Sequence, residues 1–428
     1  MSDVTLTEAG ILPPPGAGAQ EADQGWPPSV KLTVIVAALA CVGLVMVASV
    51  AAGGDIAAGT GKRLILTALG VGAFLVGRQV PYLWWRRHAL LGLSLALIGL
   101  VAVLVPRLGA TINGARRWIN VGLPVGLQPS EFAKLAACVW VAAYCERNAS
   151  RMRSPVHGFI VPLSVVGICS LLILGEPDFG TAVLTGAVCT TVLIVFGTRI
   201  VYVLLAAVAC APILQRLIFS VPYRAQRVLA FLDPWRDPMG TGYQLIQSKI
   251  AIGSGGGLGR GLGAGLQKAG FLPGADNDFI FSVIGEELGL IGCVAVIILF
   301  GALLWMALKV VLHTRDPFGF GLALGLSCLL GMQAAAHIAV VTGSVPTKGL
   351  SLPFISAGGS SLVASMLAAG ILVNIARSEE SSARYKSRAW QDDVPGYERL
   401  ARRALLAVGL TCVALAGSVV HRKGNKGW

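Results

Sequence analysis

The residues best suited to chemistry are acidic side chains at the start of a long apolar segment. Asp276 and Asp278 come just before an apolar run that begins at Phe279, and Glu286 and Glu287 follow at helical spacing. Asp278 and Glu286 are therefore about two helical turns apart. A carboxylate in a bilayer costs roughly 2.5–3.5 kcal/mol at mid-depth and less near the interface. Asp278 is thus either a functional-site residue or an N-cap that accepts hydrogen bonds from free N–H groups, and both readings stay open.

A second group of polar residues follows a proline. Gln128 and Pro129 indicate the start of a helix, and Glu131 and Lys134 lie three residues apart on one face of it. An ion pair in the first turns of a membrane helix is energetically costly and is seldom incidental. The pair predicts either a functional site or a structural contact that fixes helix packing.

Three cations could interact with an anionic group. Arg116 and Arg117 precede Trp118, a pattern typical of an anionic lipid headgroup site and also of an ordinary membrane anchor. Lys348 lies in the stretch 344–361, which contains two prolines and a Gly pair between two apolar runs. Non-helical backbone there must be buried in protein or line a wet cavity. Lys348 could therefore neutralise a phosphate or belong to a packing loop.

Two further stretches are ambiguous. Glu176 and Asp178 flank Pro177 in a very short turn, where Asp178 could simply cap a helix. Residues 254–265 are Gly-rich and could bind phosphates through backbone N–H groups, or could provide flexibility. The stretch lacks the GxxxxGK[ST] pattern, which argues against a nucleotide and favours a pyrophosphate lipid headgroup as the anion.

The composition is that of a polytopic membrane protein. Of 428 residues, 55% are hydrophobic and 13% are charged, whereas soluble domains carry about 25% charged residues. The net charge of +13 lies in short clusters between apolar runs, which is typical of membrane topology and not of nucleic-acid binding. The nine cysteines lie in or beside apolar runs without CxxC or Cys/His patterns, so neither a disulfide framework nor a zinc site is expected.

The apolar runs predict an all-α polytopic membrane protein with about ten transmembrane helices. A tail of residues 1–30 reads as disordered and cytoplasmic, residues 31–377 form the transmembrane domain, and residues 378–428 form a C-terminal tail. A long loop, 220–277, separates the seventh and eighth helices, and the tail contains a possible extra apolar helix at 404–420. The ten runs are 32–52, 64–77, 88–105, 132–145, 158–175, 181–197, 201–219, 278–311, 318–342 and 360–376.

The distribution of Lys and Arg in short loops predicts a cytoplasmic N-terminus. With that orientation, every motif-like stretch falls on the extracytoplasmic side, namely 113–134, 176–181, 231–278 and 344–361. The loops on the other side are short and merely basic. A chemical site in this protein is therefore expected to face away from the cytoplasm.

Together these stretches resemble the SEDS family (shape, elongation, division, sporulation). The resemblance rests on GARRWINVGLPVGLQPSEFAKLA, EPDFGTA, DPWRDPMGTGYQLIQSKIAIGSGG, KAGFLPGADNDFIFSVIGEELGLIG and PTKGLSLPFISAGGSS, which occur in order between residues 31 and 377. GTGYQLIQS and PTKGL resemble the division branch of the family more than the elongation branch. Ala357 stands where the family usually has tyrosine, so that motif carries less of the comparison.

The resemblance implies a peptidoglycan glycosyltransferase that polymerises lipid II at the outer face of the bacterial cytoplasmic (inner) membrane. It implies that Asp278 is the essential aspartate, which would act as general base on the acceptor hydroxyl. Cations, with a divalent ion such as Mg²⁺ or Mn²⁺ as a candidate cofactor, would stabilise the leaving undecaprenyl pyrophosphate. The substrate-binding residues that match the family are Arg116, Arg117, Trp118, Gln128, Glu131, Lys134 and Lys348.

The resemblance also implies partners, which are undecaprenyl-pyrophosphate-linked glycan, a class B penicillin-binding protein and divisome proteins. Two other classes of function are considered. A lipid II flippase should carry charged residues along its whole transmembrane path, but here mid-helix candidates such as Gln333 and His337 are few. A scaffold that only recruits a transpeptidase does not need acidic residues at the outer mouth.

Overall fold

Apolar runs of membrane length form helices because a bilayer offers the backbone no other hydrogen-bond partner. The computed structural model describes residues 26–51, 56–112, 115–119, 126–220 and 222–386. The predicted C-terminal apolar run, 404–420, and most of the N-terminal tail lie outside them. The helices are α1 (Pro28–Ala51), α2 (Ile56–Gln79), α3 (Tyr82–Arg87), α4 (Ala89–Leu104), α5 (Pro129–Arg147), α6 (Val161–Gly175), α7 (Phe179–Phe196), α8 (Ile200–Phe219), α9 (Pro222–Leu232), α10 (Tyr243–Gly255), α11 (Ile280–His313), α12 (Pro317–Val341) and α13 (Gly359–Lys386).

The fold is that of a mostly helical, multi-pass membrane protein. Among the described residues, six helices are long and apolar enough to cross a bilayer. They are Pro28–Ala51, Val156–Gly175, Phe179–Phe196, Ile280–His313, Pro317–Val341 and Gly359–Ser381. The other predicted runs also lie in helices, in α2, α4, α5 and α8, which are shorter, less apolar or both.

Helix α12 forms the centre of the bundle. Most of its side chains are buried, and it packs against α5, α7, α11 and α13. A helix that is apolar on all sides is stable only when it is surrounded. Helices α4 and α8 instead expose large apolar side chains such as Leu95 and Val208, as expected for surfaces that face lipid.

The two ends of the bundle are defined by contacts of α1. At one end, called the Asp278 end, the Ser49 hydroxyl donates to Oε2 of Glu287 on α11 at 2.6 Å. At the other, called the Ser29 end, the Ser29 hydroxyl donates to Oε2 of Glu380 on α13 at 2.7 Å. Helices α11 and α13 therefore both begin at the Asp278 end.

The prediction of an all-α fold is wrong in one place, because a β-hairpin follows α4. Strand β1 (Gly109–Ile112) pairs antiparallel with β2 (Ala115–Ile119), and Ile119 also pairs with Leu127. The missed signal is the dipeptide Asn113-Gly114 between two segments that contain β-branched and aromatic residues. The hairpin places Arg116, Arg117 and Trp118 on a strand.

The Gly-rich stretch 254–265 does not form a phosphate cradle, so that interpretation is wrong. Its N–H groups at Arg260 and Gly261 donate to the carbonyls of Glu286 and Glu287, each at 3.0 Å. The N–H of Gly263 donates to the carboxylate of Glu287 at 3.2 Å. The stretch therefore uses its backbone donors to bind α11.

This contact accompanies a break in α11 at Gly289. Gly289 has φ +65° and ψ −161°, a region that is essentially restricted to glycine. Beyond the break, the N–H groups of Leu290 and Ile291 donate to the carbonyls of Gly256 and Gly257. The Gly-rich stretch thus supplies acceptors that a regular helix would have supplied itself.

Gly289→Ala is expected to lower the free energy of unfolding by about 2–4 kcal/mol, the combined cost of a disallowed backbone angle and of overpacking. A Cβ at this position would lie 2.3 Å from the N atom of Gly259. Gly301→Ala on the same helix is the matched control, because a Cβ there meets no atom within 4 Å. Thermal unfolding of both variants in detergent should show a lower midpoint only for the first. Equal midpoints would contradict the broken helix.

Candidate active site

Asp278 lies at the start of α11 but does not cap it. The N-cap residue is Phe279, and no side chain caps the helix. Oδ1 of Asp278 accepts a hydrogen bond from Nδ2 of Asn277 at 3.0 Å. Oδ2 lies 3.0 Å from the position that a Cβ would take on Gly349. The carboxylate therefore faces residues 342–358, called the Lys348 loop, which joins α12 to α13.

The surroundings of Asp278 shift its proton affinity. Burial raises the pKa of its carboxyl to about 6, from an ordinary value of 3.8, and Arg227 and Arg117 oppose this shift. The negative charges of Asp276 and Asp178 add to it. Near neutral pH the side chain is therefore mostly ionised but only about one pH unit from its protonated form, which suits a group that accepts and releases a proton.

The Lys348 loop is fixed to the segment before α11. The N–H of Ala357 donates to the carbonyl of Asp276 at 2.9 Å, and the Ser356 hydroxyl donates to the carbonyl of Asn277 at 2.8 Å. Arg63 of α2 donates to the carbonyls of Ser356 and Ile355 at 2.8 and 3.2 Å. These contacts hold the loop against Asp278.

Lys348 lies between an aromatic ring and an acidic residue. Its Nζ is 4.8 Å from the centroid of the Phe179 ring, within the range of a cation–π contact. Burial lowers the pKa of Lys348, and the charge of Asp178 opposes this shift. The neighbouring carbonyl of Thr347 accepts a hydrogen bond from Nη1 of Arg227 at 3.3 Å. Two cations, Lys348 and Arg227, thus converge on this loop.

The two arginines on β2 differ in their contacts. Arg117 donates through Nε to the carbonyl of Glu176 at 3.0 Å and through Nη2 to that of Pro177 at 2.6 Å. Arg116 donates from Nη1 to the carbonyl of Leu104 at 3.4 Å, so the structure does not place it among the residues around Asp278. Their alternation follows from β geometry, in which successive side chains point to opposite faces.

Trp118 packs near the chain that returns toward α5. The nearest atoms to a Cβ on Gly126 would be those of Trp118, at 3.2 Å. Gln128 donates from Nε2 to Ser130 at 3.1 Å and to Oδ2 of Asp178 at 3.4 Å. The amide of Gln128 therefore connects the start of α5 to the start of α7.

The turn between α6 and α7 contains one capping residue and one unpartnered carboxyl. Asp178 is the N-cap of α7, and its Oδ1 accepts from the N–H of Thr181 at 3.1 Å. Glu176 is fully buried, and its carboxyl oxygens have no hydrogen-bond partner among the described residues. Burial, followed by the charge of Asp178, raises the pKa of Glu176 to about 8. Glu176 is therefore mostly protonated at neutral pH.

Glu131 and Lys134 form the ion pair that their spacing predicts, behind the surface of the site. Nζ of Lys134 lies 3.0 Å from the Glu131 carboxylate and 2.9 Å from Oε1 of Gln333. The two charged side chains are 7% and 1% exposed. Gln333 in turn donates to the carbonyl of Ser351 at 3.0 Å, and Nδ1 of His337 donates to that of Leu350 at 2.7 Å. This network binds α5 and α12 to the Lys348 loop.

The structure adds site residues that the sequence motifs did not identify. Arg227 on α9 acts on Asp278, although α9 carries no motif that marks it. Gln333 and His337 are single polar residues on an apolar helix, and that isolation is the signal that could have identified them. In the described part of the chain, no group of three or more His, Cys, Asp or Glu side chains is placed to hold a metal ion.

Comparison with known proteins extends over most of the chain. Residues 30–381 match the sequence profile of the FtsW/RodA/SpoVE family, described as a cell cycle protein. The probable peptidoglycan glycosyltransferase FtsW of Trichlorobacter lovleyi is 43% identical over 351 residues, which are 80% of this chain and 92% of that protein. Stage V sporulation protein E of Bacillus subtilis is 36% identical over 356 residues, which are 82% of this chain and 97% of that protein.

Two solved structures are similar to this fold. A chain from a peptidoglycan synthase complex, studied for the coordination of polymerization and crosslinking, is 30% identical with a TM-score of 0.68. The match covers 81% of this chain and 97% of the other. The rod shape determining protein RodA of Thermus thermophilus is 25% identical with a TM-score of 0.61, and the match covers 81% and 96% of the two chains.

Proposed function

This chain belongs to the FtsW/RodA/SpoVE family, and from that membership and its site geometry we propose that it is a peptidoglycan glycosyltransferase that polymerises lipid II. The relatives named peptidoglycan glycosyltransferase FtsW, at 40–43% identity, support this activity and a role in septal wall synthesis. The observation that carries the mechanism is the position of Asp278, partly desolvated and surrounded by Arg117, Arg227 and the Lys348 loop.

The reaction joins two lipid-linked sugars. A hydroxyl of the acceptor sugar attacks the anomeric carbon of the donor chain, and the bond to undecaprenyl pyrophosphate breaks. Asp278 accepts the hydroxyl proton as that oxygen forms the new glycosidic bond. A pKa of about 6 leaves the carboxylate ionised at neutral pH and more basic than an ordinary aspartate, which favours this transfer.

The leaving pyrophosphate gathers negative charge and needs cations nearby. Lys348 and Arg117 are two of the cations that the sequence proposed for this role, and Arg227 joins them at the same end of the bundle. Positive groups held in place before the reaction stabilise such charge without reorganisation. Arg116 is not included, because its guanidinium contacts the end of α4.

The cofactor prediction stays a prediction. Mg²⁺ commonly binds through one or two carboxylates plus substrate phosphates. Since the described residues offer no group of three or more metal-binding side chains, no step of the mechanism is assigned to a cation here. Measuring polymerisation after removal of divalent ions with EDTA, and after their return, tests the requirement.

We propose ten membrane spans and the orientation that places the Asp278 end outside the cytoplasmic membrane. The basic short loops support this orientation, and undecaprenyl-linked sugars would then meet the site at the outer leaflet. A class B penicillin-binding protein is the proposed partner, alongside divisome proteins. The similarity to a chain of a peptidoglycan synthase complex supports the first of these.

The test is polymerisation of labelled lipid II by the purified full chain, with product length read on a gel. Glycan made without a partner would support the enzyme. Lipid II translocated into vesicles without glycan would favour the flippase, and inactivity in both assays would favour a scaffold. The hydrogen bonds that tie Gln333 and His337 to the Lys348 loop argue against a polar path across the bundle.

The polymerisation rate is expected to fall as the pH drops through about 6, with a slope near tenfold per unit below it. The reason is that Asp278 must be ionised to accept a proton, and its pKa is about 6. The initial rate between pH 4.5 and 8, measured at saturating lipid II, checks this. An unchanged rate at pH 5 would contradict the assignment of Asp278 as the base.

A further inference from the structure

A second polar cavity lies at the opposite end of the bundle from Asp278. It has a volume of about 450 Å³ and opens between α1, α2 and α13. Its wall combines apolar side chains with polar and charged ones, namely Ser29, Thr33, Arg78, Arg377, Glu380 and Ser381. It lies at the point where the apolar parts of α1 and α13 end, which is the boundary between hydrocarbon and headgroups.

The charges in this cavity favour an anion. Neither Arg78 nor Arg377 forms an ion pair with a described residue, and Nε of Arg78 is buried without a hydrogen-bond partner. The one carboxylate in the wall, that of Glu380, already accepts hydrogen bonds from the N–H and the hydroxyl of Ser29. The cavity therefore retains two guanidinium groups with unused donors.

The backbone around Arg78 is held in place by α13. Nδ2 of Asn374 donates to the carbonyl of Arg78 at 2.7 Å. One residue earlier, a Cβ on Gly77 would lie 2.7 Å from the carbonyl O of Leu367, so the two helices are in close contact. Arg78 is thus fixed beside the helix that carries Arg377, and a ligand does not have to order both helices.

We propose that this cavity binds the phosphate headgroup of an anionic phospholipid. Guanidinium groups bind phosphate oxygens through paired N–H donors, and basic pockets between membrane helices suit such headgroups. The apolar part of the wall, which includes Val30, Val34 and Val373, adjoins the acyl chains. With the proposed orientation of the bundle, the lipid belongs to the cytoplasmic leaflet.

The experiment measures lipid binding to the purified full chain by native mass spectrometry. Short-chain phosphatidylglycerol, phosphatidylcholine and inorganic phosphate are the three probes. We expect phosphatidylglycerol to bind about tenfold or more tightly than phosphatidylcholine. Arg78→Gln/Arg377→Gln should weaken its binding by about tenfold or more, since each cation near a lipid surface contributes a similar attraction.

The matched control is Arg151→Gln/Arg153→Gln, which removes the same charge from exposed positions at the same end of the bundle. It should leave phosphatidylglycerol binding unchanged. Arg377→Gln alone, at an exposed position on the rim, preserves the test if the double variant does not fold, and it should weaken binding severalfold. Equal loss in the control pair, or equal binding of phosphatidylcholine, would overturn the proposal.

Inorganic phosphate separates two sources of the same chemistry. If the ligand is a lipid, phosphate at millimolar concentration should not displace phosphatidylglycerol, because it lacks the apolar chains that meet the valines. Displacement at micromolar concentration would overturn the lipid assignment in favour of a free anion. Polymerisation by the same variants is a separate readout, and none of these outcomes depends on it.

Discussion

Asp278→Asn is expected to reduce lipid II polymerisation by about 10²–10⁴-fold, the usual contribution of a general base. Asparagine has nearly the same shape but cannot accept the proton of the acceptor hydroxyl. The rate is read from glycan formed by the purified variant on a gel. The variant should insert into the membrane normally, because Asp278 caps no helix and its carboxylate accepts only from Asn277 among the described residues.

The folded state of this variant should be no less stable than that of the native chain. Burial raises the pKa of Asp278 to about 6, so ionisation is disfavoured in the folded state relative to the unfolded one. This penalty develops between about pH 4 and 6 and is fully present at neutral pH. Asparagine removes it, and an unfolding midpoint at pH 7.5 that is equal or higher checks the sign.

Asp276→Asn is the matched control, since it makes the same chemical change two residues away. The side chain of Asp276 is exposed, and its structural contact is made by its backbone carbonyl, which accepts from Ala357. Its rate should stay within about twofold of the native rate, as for most surface changes. Retention of more than a tenth of the activity by Asp278→Asn would remove Asp278 from the mechanism.

The second large effect is on stability, at the buried ion pair. Lys134→Met keeps the length of the side chain but leaves the Glu131 carboxylate without its cation, and breaking one side of a buried pair costs about 3–5 kcal/mol. The pair is almost fully buried, so solvent cannot compensate. Thermal unfolding in detergent should show a much lower midpoint for this variant.

A double variant separates the possible roles of the pair. Glu131→Gln/Lys134→Met removes both charges, and replacing a whole buried pair is often near neutral. It should regain most of the lost stability. Retained polymerisation in the double variant would assign the pair to holding the Lys348 loop through Gln333, whereas loss of activity at native stability would assign it to the pyrophosphate. A Lys134→Met variant with the native midpoint would contradict the structural coupling.

Two aspartates illustrate how local patterns can have opposite outcomes. Asp178 and Asp278 both precede an apolar run, and the sequence left an N-cap role open for each. Asp178 caps α7 through Thr181, whereas Asp278 turns toward Gly349 and leaves α11 uncapped. The direction of such a side chain depends on what packs beside it, which is a contact between residues distant in sequence.

The sequence by itself determined the helices, the polar stretches and the Glu131–Lys134 pair. Apolar runs and an i,i+3 spacing act locally, so a bilayer or a single helix turn is enough to give them structure. The family resemblance, confirmed over residues 30–381, was also contained in contiguous motifs.

Only the tertiary structure decided which charges meet. It directed Arg117 toward the turn before α7 and Arg116 toward α4, brought Arg227 from an unmarked helix to Asp278, and engaged the Gly-rich donors with α11. The physical reason is that Coulomb and hydrogen-bond energies depend on distance and burial, and these are set when segments separated by a hundred residues or more pack together.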